Sequence, residues 1–339
     1  LKKILYVTIL FVIHWSANSQ SDYFVYHSKI NDAEIAYFMN NKPNECLALY
    51  DEVFDCYDFV FLKDLLNAAQ IAIFNNKNYE KYLMRSFEFG LKIDDLKMFP
   101  LFSSVYIQYK NNKKIKKIFE EARLRYLQKI DFEYLDYIYS LAINDQVDKY
   151  KKGYEKRIDI VFQRLINVIK SKGFPSEKLL GITDTAIFAE RSLKKLDINA
   201  RARKYKVAKY FFYGKNRLHF DVSMPILLHH KCSSALYYDV FLKEIKLGNM
   251  HPQDLAFISD FNSQFLDKLP SYCDNLKFEG LYSFSPVTGD LTNRKDIERA
   301  NKLRKKLYMI PYDVVLKKRE FVEKYNFVLN FGFNGSARE

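Results

Sequence analysis

Apolar residues recur three and four positions apart along most of the chain, the spacing that places them on one face of an α-helix. Ile158, Val161, Phe162, Leu165, Ile166 and Ile169 form one such stripe, which stops before Gly173. Shorter stripes come in pairs in the first half. The tripeptide Asn-Asn-Lys occurs at 40–42, 75–77 and 111–113, at spacings of 35 and 36 residues, each time between two amphipathic runs. Asn favours turns because its side chain bonds the local backbone and tolerates a left-handed conformation. The pattern therefore predicts helical hairpins with a repeat period near that of stacked two-helix arrays.

The predicted fold class is mainly α: N-terminal helical-hairpin repeats over 20–148, then an α-helical domain over 149–339 with a short terminal strand. The polar segment Asp145 to Gly153 sets the boundary. Beyond it, one long helix is expected from Ser223 to Leu247, closed by Gly248. His251-Pro252 opens another, Asn293 caps a third, and Pro311 separates the last. The tail alternates apolar residues at Phe327, Leu329, Phe331 and Phe333, a strand period.

At the other end, Lys2 and Lys3 precede an apolar run from Ile4 to Ile13, and Ala17 and Ser19 are small. This reads as a signal peptide over 1–19, with Gln20 as the mature N-terminus and an exported destination: periplasm, outer surface or medium. No later segment reaches the roughly 20 uncharged apolar residues a membrane span needs.

Composition sharpens the fold class. Aromatics make up 17% of the chain, which supplies a large core, while Gly (10) and Pro (8) are too few for a turn-rich β-protein. The net charge of +13 is carried mostly by Lys, without any nucleic-acid module signature, so no nucleic-acid partner is expected. Export permits disulfides among Cys46, Cys56, Cys232 and Cys273. Pairing within each half and free buried thiols are both open, since spacing does not fix connectivity.

Candidate chemistry is sparse. His229 or His230 with Asp260 is the best constellation, because a carboxylate orients an imidazole and raises its basicity. His229 and Cys232 have metal-ligand spacing, but with no paired motif elsewhere no metal and no cofactor are expected. Phosphate-binding, dinucleotide and serine-hydrolase fingerprints are missing from the sequence. The segment 193–217 is strongly basic and interleaved with aromatics; Lys194, Lys195, Arg201, Arg203 and Lys204 are its candidate binding residues for an anionic surface or partner. The expected function is that of an exported helical-repeat module binding a protein or peptide of the cell envelope, with contact to a membrane surface compatible with its charge. The alternatives are an enzyme using the His/Asp pair and a surface-binding module acting through 193–217.

Two resemblances accompany this reading. Residues 28–145 resemble tetratricopeptide-like helical repeats in period and in the small residues Ala68, Ala69 and Ala72, which implies a stacked-hairpin scaffold. Residues 158–315 resemble an uncharacterised bacterial domain-of-unknown-function family with a Gly-Trp-Pro, Gln-His-Ala-Asp and Asp-Arg pattern. The matching positions are Gly173-Phe174-Pro175, Gly181, His229 or His230, Leu247-Gly248-Asn249, Leu255-Ala256, Asp260, Arg299 and Arg304. Phe174 stands in place of the Trp, Phe261 in place of the Arg, and 193–217 is an insertion. That resemblance implies a set of polar positions and no reaction.

Overall fold

The first helix is opened by Asp22, whose carboxylate accepts a hydrogen bond from Phe24 N at 2.9 Å. Helix α1 (Tyr23–Phe38) packs along α2 (Pro43–Cys56), and α3 (Leu62–Phe74) along α4 (Glu80–Phe87). These are the first two expected hairpins. Their turns use the second Asn of the tripeptide in the left-handed region, with φ +52° at Asn41 and +55° at Asn76. The third copy folds differently. Asn111 ends α5 (Ser103–Asn111), and Asn112 is extended and caps α6 (Lys113–Lys129) by accepting from Lys114 N and Ile115 N.

The structure is a computed structural model describing residues 22–149, 151–184, 186–191, 204, 218–264, 273, 275–278, 281–282 and 291–329. Among them the chain is mainly helical, with no strand. The expected signal peptide lies outside the described residues, as do Lys194, Lys195, Arg201 and Arg203. Lys204 is described, helical and exposed.

Helix α7 (Phe132–Asp148), capped by Asp131, pairs with α8 (Tyr154–Lys172), and all six residues of the α8 stripe are buried. At the end of α8, Gly173 has φ +90° and its Cα lies where an added Cβ would stand 2.8 Å from Asn249 Nδ2. Glu244 Oε2 accepts from Phe174 N at 2.7 Å and from Asn249 Nδ2 at 2.9 Å. The chain segments around Gly173 and Gly248 thus meet on one carboxylate. Short helices α9 (Glu177–Leu180) and α10 (Ala186–Glu190) follow. Arg123 of α6 grips both Asp184 and Glu190 at 2.8 Å.

The single helix expected over 223–247 is instead three: α11 (Met224–His229), α12 (Ser233–Leu236) and α13 (Tyr238–Lys246). His230 is extended at the first break, and side chains replace the lost helical bonds. Ser233 Oγ donates to Leu227 O at 2.6 Å, and Asn262 Oδ1 accepts from Ser234 N and Ser234 Oγ. Cys232 at this break is joined to Cys273 in a disulfide. Cys46 and Cys56 are unbridged and both lie on α2, where ten residues of helix separate them by about 15 Å, beyond disulfide reach.

Helix α14 (Pro252–Ser263) is capped by His251 Nδ1, which accepts from Gln253 N; α15 (Arg294–Lys306) is capped by Asn293; α16 (Tyr312–Tyr325) follows Pro311. Helix α16 returns to the start of the chain. Lys318 Nζ bonds both oxygens of Glu34, at 2.9 and 3.0 Å, and Phe321 packs on Tyr37 and Phe38. The tail then crosses α3. Phe327 contacts Phe74, while Gln70 receives Val328 N at 2.7 Å and donates to Val328 O at 2.8 Å. One side-chain amide here meets the backbone groups that a partner strand would have met. Phe331 and Phe333 lie outside the described residues. The apolar core is continuous across 148/149, since α1 of the first half packs on α13 and α16 of the second.

Candidate functional site

The end of α7, the start of α8 and the end of α11 converge on Asp145, whose side chain is fully buried. Its Oδ2 lies 2.7 Å from His229 Nδ1 and accepts from Gln146 Nε2 at 2.9 Å; its Oδ1 accepts from Tyr154 OH at 2.5 Å. An ionised carboxylate only accepts, so three donors around it fix its partners' roles. Towards a carboxylate, the donor on His229 is Nδ1–H. Burial, and then the charge and hydrogen bond of Asp145, push the Tyr154 phenol well above its ordinary range, so it stays a donor.

His229 makes no other hydrogen bond among the described residues. Its side chain is 18% exposed. It lines a cleft of about 170 Å³ together with Glu155, Ile158, Asp159, His230 and Lys231. A carboxylate-oriented imidazole at the wall of a cleft is the arrangement that general-base chemistry requires: the buried acid fixes the tautomer and stabilises the cation formed on proton uptake.

The other expected residues have different surroundings. His230 is buried, stacked on Phe162 at 3.8 Å, with Nε2 3.4 Å from Asp159 Oδ1. Burial pushes it down to about 4 against the opposing pull of Asp159, which leaves it neutral at neutral pH. Asp260 is buried and accepts from Tyr282 N at 2.6 Å. Arg304, also buried, donates to Tyr282 O at 3.0 Å and to Ile310 O at 2.7 Å. Two positions of the C-terminal resemblance therefore hold the two ends of one residue. The carboxylate paired with His229 is Asp145, not Asp260. Cys232 is committed to its disulfide, which removes the thiolate a His229/Cys232 metal pair would need.

Sequence reasoning missed Asp145 and Tyr154, although Asp145 opens the polar segment read as a boundary and Tyr154 directly follows it. Asp145 is 84 residues from His229, and no local spacing connects them. The only available signal was an acid and a tyrosine at the two ends of a tight α7–α8 turn, where short side chains can reach a third element.

No protein-family model matches the chain, and neither a curated protein nor a solved structure shows a significant match to it.

Proposed function

We propose that this chain is an exported helical protein whose working centre is the His229 cleft, with His229 as general base towards a small polar substrate. The observation that carries the reading is the 2.7 Å contact between a buried carboxylate and Nδ1 of His229, a residue of the cleft wall. Glu155, Asp159 and Lys231 supply polar groups of both signs at its rim. The faces of α1 and α3, which a repeat scaffold would offer to a peptide, are covered by residues 312–329 of the chain itself. That shifts weight from the hairpins to the cleft.

The tautomer is the direct test. Nitrogen NMR of the imidazole at pH 7 is expected to show His229 as the Nδ1–H form, with Asp145→Asn abolishing that preference. A predominant Nε2–H form would end the proposal. In a substrate screen, His229→Gln is expected to lower turnover by about a hundredfold or more at unchanged melting temperature, the scale of a lost general base.

A second reading keeps a binding function in the cell envelope. It rests on an open groove of about 470 Å³ between α7 and α8, lined by Glu133, Tyr134, Tyr137, Arg164, Val168 and Lys172. Tyr137 is 40% exposed there, as an interface aromatic would be before its partner arrives. In pull-downs from envelope extract, Tyr137→Glu should then release a partner that His229→Gln retains.

A further inference from the structure

From residue 96 to 119 the chain contains six lysines and no acidic residue. Five of them, Lys110, Lys113, Lys114, Lys116 and Lys117, crowd the α5–α6 corner and are exposed. None of the five forms an ion pair with a described residue, although seven other Lys or Arg side chains do so along the surface and interior of the same half. The arrangement is locally unfavourable. Lys113, Lys114, Lys116 and Lys117 sit at the start of α6, where the helix dipole repels cations, and they repel one another at three and four residues' spacing. Asp94, which also feels the charge of Lys110, is paired with Lys97. The backbone N–H groups of Lys114 and Ile115 are taken by Asn112, so the corner offers lysine charge rather than open helix donors. Beside the lysines stands Ile107, which is 62% exposed.

We infer that this corner docks the protein on an anionic lipid surface, with the lysines over the headgroups and Ile107 entering the interface. A cluster of unpaired lysines attracts a negatively charged bilayer at roughly a factor of five per residue, and the attraction decays within a Debye length. The apolar side chain among the charges distinguishes a lipid surface from a polyanion, because only a bilayer gives Ile107 somewhere to be buried. Lysine, a compact charge without a planar fork, suits diffuse headgroup contact better than bidentate recognition. The inference is independent of the His229 cleft and uses none of its residues.

Flotation of the chain from residue 20 onward with vesicles tests it. Binding is expected to vesicles containing 30% phosphatidylglycerol and not to pure phosphatidylcholine, at about 0.05 M salt, and to fall steeply by about 0.3 M. The quadruple variant Lys113→Glu, Lys114→Glu, Lys116→Glu, Lys117→Glu should lose at least about a hundredfold in affinity. Its melting temperature should change little, because the four side chains are exposed and acidic residues suit the first turn of a helix. Ile107→Ser should weaken binding severalfold without altering its salt dependence. The inference is overturned if the wild-type chain ignores the anionic vesicles. It is equally overturned if the quadruple variant binds like wild type while Lys194→Ala, Lys195→Ala, Arg201→Ala, Arg203→Ala does not. Binding to heparin or DNA that matches vesicle binding and ignores Ile107→Ser would identify a polyanion site and overturn it too.

Discussion

His27 shows how one buried side chain sets a pH response. It lies in the interior against Tyr26, Phe61 and His251, with Nε2 lacking a hydrogen-bond partner. Burial, and then the charge of Lys63, push its pKa from 6.5 down to about 3. A depressed imidazole contributes stability that is complete above the unfolded value and is lost as pH falls towards the folded one. The loss is about 1.4 kcal/mol per pH unit below 6.5. Asp64 works in the opposite sense. Burial raises its carboxyl from 3.8 to about 6, so its contribution is full below 3.8 and is lost as pH rises through 6. Urea titrations of wild type and His27→Phe at matched pH separate the two. The variants should differ little at pH 7.5, and the wild type should lose stability faster between pH 6.5 and 4. Parallel curves would mean that His27 protonates freely in the folded state. None of this was legible in the sequence, where His27 is one residue of an ordinary amphipathic run. It is buried by Phe61 and His251, which distant segments bring against α1.

Among the elements, the sequence reading succeeded where one physical rule controls the outcome. The α8 stripe is buried in full because six apolar residues on one helical face leave no competing arrangement. Gly248, Asn293 and His251-Pro252 end or begin helices as their backbone preferences require. The reading failed where side chains from distant segments intervene. The run from Ser223 to Leu247 has helical periodicity, but Asn262 and the disulfide to Cys273 break it, and neither is visible locally. The repeated tripeptide gives a test of the same distinction. Asn76 is left-handed, so Asn76→Ala should cost about 1 kcal/mol in strain, while Asn76→Gly should be close to neutral. Asn112 is extended and works through its side chain, so Asn112→Ala should cost about 1 kcal/mol through a lost cap. Thermal melts of the three variants decide it; loss of stability in Asn76→Gly would show that the Asn side chain, not the backbone, matters at that turn.

At the scale of the whole molecule, the two halves expected from the sequence are joined through a buried ion pair. Glu34 on α1 and Lys318 on α16 are 284 residues apart and both nearly inaccessible. Burial alone would raise the Glu34 carboxyl. The charges of Lys318 and Lys63, with hydrogen bonds from Lys318 and Asn67, outweigh it and hold Glu34 below its ordinary value. Such a pair is costly to break and much less costly to replace, because the desolvation of each charge is offset only by its partner. Lys318→Met should therefore destabilise the chain by about 3–5 kcal/mol, by stranding a carboxylate in the interior. Adding Glu34→Gln should recover most of that loss, since the amide can still accept from Asn67 and the stranded carboxylate is gone. Denaturant midpoints of the two single variants and the double variant close the cycle. If the double variant is as unstable as Lys318→Met alone, the pair is not the link that fastens α16 to α1. The aromatic contacts of Phe321 and the hold of Gln70 on Val328 would then carry that closure.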